Sequence, residues 1–254
     1  MRRECNDGAH SSDGGAPTPT GSRQTSPTVA ERIVRQRSRD GGAGSDASPP
    51  PPPPPRNIER VLYGNFDIKT WYYSPFSREV PPPLRMLWVC EGCFKYMKTY
   101  NAFAVHKKLC PHTHPPGRKL YQRGAHIIWE VDGAEQKLYC QNLSLFGKLF
   151  IDHKTIYFDV EPFLFYILTD ASASFDHPLG FFSKEKNSYD DYNLACIITF
   201  PPFQRKSFGT LMIEFSYFLS ARQGMLGTPE RPLSDLGHRG YLAFWSSVVL
   251  RALL

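Results

Sequence analysis

The sequence predicts an α/β (α+β) fold: a mixed β-sheet core with flanking helices and an embedded Cys-Cys-His-Cys zinc finger. Three observations carry this expectation. Runs rich in aromatic and β-branched residues recur between residues 125 and 200, as strands do. Two later segments space their apolar residues as helices do. Four potential metal ligands fall at finger spacing between residues 90 and 110. With 254 residues, 41% hydrophobic and 14% aromatic, the chain has material for one large domain or two small ones.

Residues 1–55 contain almost no large apolar side chains and end in seven prolines, Pro49 to Pro55. Such a stretch buries too little apolar surface to offset its ordering entropy, so it reads as a disordered tail. The proline run reads as a semi-rigid spacer, or as a site for a proline-reading partner. Arg32, Arg35, Arg37 and Arg39 suit either a nuclear import signal or a solvated tail. The tail carries seven arginines against six acids, so most of the net charge of +6 belongs to residues 56–254. That excess is compatible with a nucleic-acid or chromatin partner and specific to neither. No apolar stretch approaches the roughly 18 residues that span a bilayer, and "MRRECNDGAH" lacks the apolar core of a secretory signal. The six cysteines are therefore read for metal or catalysis before disulfides.

In "CEGCFKYMKTYNAFAVHKKLC", twelve residues separate the Cys90/Cys93 knuckle from His106, and three separate His106 from Cys110. A short helix over 99–109 would place His106 and Cys110 on one face, closing a tetrahedron around zinc. The competing reading is a set of unrelated thiols. Four protein ligands leave no open position, so such a zinc is structural, a folding staple about residues 85–112.

Further on, "AHIIWEVDGAEQKLYC" reads as two strands joined at Asp132-Gly133, and "NLSLFGKLFI" as a short helix. Strands are expected at 155–160, 162–168, "HPLGFFSKE" and 192–200. Leu211, Met212, Phe215, Phe218 and Leu219 then fall at helical spacing, with Gly224 as a stop. "GYLAFWSSVVLRALL" reads as a second apolar helix. Between the last strand and the first of these helices lies "PPFQRKSFGT", a basic loop entering a helix start, where backbone N–H groups and the helix dipole favour an anion.

Several blocks now line up in order: "ERVLYGNFDIKTWYYSP", the finger, "HPPG", "CQNLSLFGKLFIDHKTIYFDVEPFLFY", "GFFSKEK", "YNLACIITFPPFQR", "LMIEFSY" and "TPERPLSDLG". Together they resemble the MYST family of histone acetyltransferases, densely and collinearly from about Ile58 to the last residue. The resemblance implies a Gcn5-related acetyltransferase core that uses acetyl-CoA to acetylate lysines on histone tails. By that resemblance Ile197, Ile198 and Thr199 face the pantetheine arm, and Gln204, Arg205, Lys206, Ser207, Phe208, Gly209 and Thr210 cradle the pyrophosphate. Ser234 matches a further coenzyme contact, Glu230 the general base, and Lys154 a self-acetylated lysine. Cys196 matches a cysteine beside the transferred acetyl group, as nucleophile or as lining. The prolines after "LACIITF" cannot donate ladder bonds, which frees a neighbouring strand to splay and lets the pantetheine pair as an added strand.

One position departs from the pattern. The family has glycine where this chain has Ser207, and a serine hinders positive φ and close backbone approach. Weaker coenzyme binding is expected. The resemblance also implies a nuclear protein whose partners are histone tails or nucleosomes and the subunits of a chromatin-modifying complex, with direct nucleic-acid binding weak. Family domains extend beyond the final helix, so the 56–254 domain is expected to be truncated, with apolar helix faces short of partners. The alternative to a catalyst is an inactive zinc-containing chromatin interaction module.

Overall fold

The computed structural model describes residues 54–76 and 83–254. The expected tail, its proline spacer and its arginine cluster lie almost wholly outside these residues. The chain first forms β1 (Ile58–Tyr63) and β2 (Phe66–Lys69), an antiparallel pair turned at Gly64, whose φ of +58° suits a residue without Cβ. β3 (Leu84–Val89) adds parallel to β1, and β4 (Tyr96–Met97) folds back on β3, giving the order β2-β1-β3-β4. The first two strands lie inside a block that the sequence reading left unassigned.

α1 (Tyr100–Leu109) is the finger helix. The Thr99 hydroxyl caps it by accepting from the Ala102 N–H at 3.4 Å, and His106, Lys107 and Lys108 sit in its last turn, where the helix dipole favours cations. β5 (Arg118–Arg123) and β6 (His126–Asp132) form a hairpin that opens the main sheet.

Here the structure corrects the expected hairpin at Asp132-Gly133. The chain instead turns into α2 (Lys137–Lys148), with the Asp132 carboxylate accepting from the Ala134 N–H at 2.7 Å. Gly133 is there because any Cβ would collide with the Val160 carbonyl, and Tyr139, Cys140, Leu143 and Phe146 bury one helical face. Residues 155–160 are not a strand either. β7 (Phe163–Ala171) has β6 on one side and β8 (Asp176–Glu185) on the other, so neither edge is open to them. They form a loop, pinned where Gln141 Nε2 donates to the Phe158 carbonyl at 2.8 Å.

The expected strand 192–200 is present but broken at Ala195 into β9 (Tyr192–Leu194) and β10 (Cys196–Thr199). β10 pairs antiparallel with β8, while β9 pairs parallel with β11 (Thr228–Pro229). The main sheet therefore runs β10-β8-β7-β6-β5, with β10 at its edge. After a 3-10 turn at Pro201–Phe203 come α3 (Phe208–Arg222) and, beyond β11, α4 (Asp235–Leu253).

The two faces of this sheet hold different layers. One carries Phe165, Ile167, Phe181 and Ile198 against α2 and the N-terminal sheet. The other carries Ile128, Tyr166, Leu168 and Phe182 against Met212 and Phe215 of α3. α4 packs on α3 through Ile213, Tyr241 and Phe244, and the Trp245 indole donates to the Tyr217 hydroxyl at 2.9 Å. Its far side leaves Leu242, Val249, Leu250 and Leu253 exposed. Among the described residues no helix is long and apolar enough to cross a membrane.

Candidate functional site

The finger ligands converge. The donor atoms of Cys90, Cys93, His106 and Cys110 lie within 4.8 Å of one another, and Cys93 Sγ is 3.3 Å from His106 Nε2. A zinc–sulfur distance of 2.3 Å implies tetrahedral edges of about 3.8 Å, so three sulfurs and one imidazole in this space fit zinc with little movement. Gly92 makes the knuckle possible, because a Cβ there would collide with the His112 carbonyl and crowd Cys110 Sγ. A hydrogen bond from the Cys93 thiol lowers the Cys90 thiol to about 4, aided by the N–H groups of Cys93 and Gly92.

The residue after the knuckle carries its strain inward. Phe94 has φ +56°, an outlier for a bulky side chain, of order 1–3 kcal/mol. Its N–H donates to the Cys90 carbonyl at 2.9 Å and its ring is fully buried. Knuckle and core together hold it there. Neither Gly92 nor Phe94 is a ligand, so ligand spacing passed over both.

The second group of expected site residues gathers at the β10 edge. Cys196 begins β10 opposite Ser183. Lys154, from the loop after α2, and Glu230 are both close enough for their charges to act on its thiol. Burial raises the Cys196 thiol, Lys154 opposes this, and Glu230 adds to it. The Glu230 N–H donates to the Leu194 carbonyl at 2.8 Å, so the β9/β11 pairing places the carboxylate beside β10. Glu185 joins them: burial raises its carboxyl, and the charges of Glu230 and Asp190 push further the same way. Sequence reasoning missed Glu185, which looked like one charge in a strand.

Along β10 the register sorts the backbone groups. The Phe200 N–H bonds to the Leu179 carbonyl at 2.9 Å, so Ile198 also faces β8 and the groups of Ile197 and Thr199 face outward. Among the described residues no strand covers that outer edge. Gln204 Nε2 donates to the Thr199 carbonyl at 3.0 Å, folding the loop back over the strand end.

The loop beyond holds a surprise. Arg205 and Ser207 both sit in the left-handed region, at φ +63° and +62°. A serine at a helix N-cap ordinarily has extended φ/ψ and bonds the first turn, but here the side chain makes no cap bond. Gly209 lies inside α3 with no Cβ contact closer than 3.7 Å, so the loop's one glycine is where glycine is not required. Among the described residues no acceptor meets the N–H groups of residues 205–210, which with the start of α3 form a set of unpaired donors fit for phosphate oxygens. The side chains of Arg205, Lys206 and Thr210 are exposed, and Phe208 meets the His126 ring at 5.2 Å, a neighbour from the β5–β6 hairpin that sequence reasoning did not find.

Ser234 caps α4, its hydroxyl accepting from the Gly237 N–H at 3.1 Å, which leaves the hydroxyl proton able to donate.

Comparison with known proteins agrees with this layout. Residues 55–110 match the MYST family zinc finger domain, taking in β1 and β2 ahead of the knuckle, and residues 114–254 match the MOZ/SAS family. Histone acetyltransferase MOF of Drosophila melanogaster is 50% identical over 193 residues, which are 76% of this chain and 23% of that protein. Histone acetyltransferase ESA1 of Gibberella zeae is 47% identical over 199 residues, 78% of this chain and 39% of that protein. Histone acetyltransferase KAT6B of Macaca fascicularis is 50% identical over 193 residues, 76% and 11% respectively. The chain thus spans well under half the length of these relatives. A ligand-complete finger, a sheet edge leading to an anion loop, and collinear similarity across both put the chain in the MYST (MOZ/SAS) family.

Proposed function

We propose that the chain is a lysine acetyltransferase that moves acetyl from acetyl-CoA to the ε-amine of histone-tail lysines, in the nucleus and within a chromatin-modifying complex. One observation carries this reading. Lys154, Cys196 and Glu230, from three separate segments, meet at one end of β10, whose other end enters the loop of unpaired N–H donors.

Bound coenzyme would supply a thioester whose acyl carbon accepts the amine as its C–S bond breaks, leaving as the thiol. The outward groups of Ile197 and Thr199 would hold the pantetheine arm, and residues 204–210, with Ser234, the phosphates. A lysine ammonium has an unperturbed pKa near 10.4, so at neutral pH about one in 10³ is a nucleophile. Glu230 takes that proton and frees the lone pair. Burial raises the Cys196 thiol, which favours a lining role at the acetyl site over attack, and the amine attacks directly. Lys154, whose charge acts on that thiol, is placed to accept acetyl itself. Zinc, held by Cys90, Cys93, His106 and Cys110, has a structural role.

The second reading, an inactive zinc-containing chromatin module, draws support from Ser207 at positive φ in the loop. Mass spectrometry of histone-tail peptides incubated with acetyl-CoA and the zinc-loaded chain, beside Glu230→Gln, separates the two. An acetyl gain on lysine that the variant loses is expected. No gain from folded, zinc-loaded chain sinks the catalytic reading in favour of the module.

A further inference from the structure

We propose that Phe94 couples the metal knuckle to the coenzyme strand, so that metal loading sets the geometry and affinity of the coenzyme groove. The inference rests on reading β10 and the loop after it as that groove.

The physical link is a continuous ring cluster. Phe94 follows Cys93 directly, and its ring meets Tyr63 at 5.8 Å, Tyr139 at 5.6 Å, Phe146 at 5.6 Å and Phe200 at 6.1 Å. Phe200 in turn meets Tyr63 at 5.5 Å and Phe146 at 4.9 Å, and is fully buried. It stands between Thr199, the last outward-facing residue of β10, and Pro201, the first of the turn into the anion loop. Proline fixes φ at Pro201 and Pro202, so fewer backbone dihedrals are free to absorb a shift of Phe200 before it reaches Gln204 and the loop. Dense interiors transmit such shifts. With metal bound, Cys90 and Cys93 are held together and Phe94 stays in its left-handed conformation. Without it the clamp on Cys90 and Cys93 is lost, the Phe94 N–H bond to the Cys90 carbonyl and the ring packing alone resist relaxation of φ, and any relaxation loosens the contact with Phe200. Coupling between two binding events is reciprocal in free energy, so coenzyme must also tighten metal binding, which is read as slower metal release.

The test uses the zinc-loaded chain, with Phe94→Leu and, as a control for loss of apolar volume in the same core, Val131→Ala. Isothermal titration with coenzyme A is expected to show the dissociation constant raised roughly fivefold in Phe94→Leu and little changed in Val131→Ala. Zinc release to a chromogenic chelator is expected to be slowed by saturating coenzyme A in the unsubstituted chain, and much less in Phe94→Leu. Unchanged affinity in a folded, zinc-loaded Phe94→Leu, or equal slowing in both, overturns the coupling and leaves the acetyltransferase reading standing. Failure of the unsubstituted, zinc-loaded chain to bind coenzyme A overturns both. If Phe94→Leu does not fold, Phe200→Leu probes the same contact from the strand side. Zinc release faster than from Val131→Ala then supports the coupling, and an equal rate overturns it.

Discussion

The metal knuckle and the anion loop both hold side-chain-bearing residues at positive φ, but they are supported in opposite ways. Phe94, at +56°, is clamped by four convergent ligands on one side and a buried ring cluster on the other. Arg205 and Ser207, at +63° and +62°, are exposed, in a loop whose N–H groups meet no acceptor among the described residues. The same backbone strain is thus over-determined in one region and open in the other. A strained conformation persists only where its surroundings hold it. The knuckle is held by its convergent side chains and the core, whereas the loop has no such support.

Breaking the better-supported region has the largest expected effect. Stripping zinc with a strong chelator should abolish a single cooperative unfolding transition or lower its midpoint by roughly 10 °C or more, because metal binding energy in such modules is folding energy. Calorimetry of chelated and zinc-reloaded samples checks this, and a chelated chain that melts like the loaded one would mean that the knuckle holds itself. Gly92→Ala ranks next. Its methyl meets backbone rather than a movable side chain, so zinc affinity, read by chelator competition, should fall by at least about tenfold, the low end for disturbed ligand support.

In the open loop the effects are smaller and favourable. Ser207→Gly should stabilise the chain by up to about 1 kcal/mol in urea titration, since glycine takes φ +62° without cost. It should also tighten coenzyme A binding a few-fold, and an unchanged dissociation constant would show that serine costs the loop nothing. Gly209→Ala should be the mildest. It lies in helix with nothing closer than 3.7 Å to the new methyl, and alanine gains up to about 1 kcal/mol of helix propensity. A substantial loss of stability there would mean that the start of α3 is more crowded than it looks.

Much of this was readable in advance because the signals were local. Cys90, Cys93, His106 and Cys110 were found by spacing, α1 by its composition, and α3 and α4 by apolar periodicity. The misreadings came from partners distant in sequence. Gly133 looked like a hairpin turn because Asp-Gly commonly is one, but the carbonyl that excludes its Cβ belongs to Val160. Residues 155–160 have strand composition, yet β6 and β8 already fill both edges of β7. The loop was expected to be an anion site from its basic residues and helix start. That Ser207, and not Gly209, occupies the position where glycine is favoured is a matter of dihedral angles that composition does not carry.

The sequence alone determined the ligand set, the family resemblance and the finger and C-terminal helices, because each depends on residue type and spacing over short stretches of chain. Tertiary structure decided what those elements meet. It broke the strand at Ala195 so that β9 could take β11 while β10 kept a bare edge. It drew Lys154, Cys196 and Glu230 together from separate segments and set Phe94 against Phe200. Such meetings are long-range packing events, settled by which faces exclude water together, and no short window of sequence contains both sides of the contact.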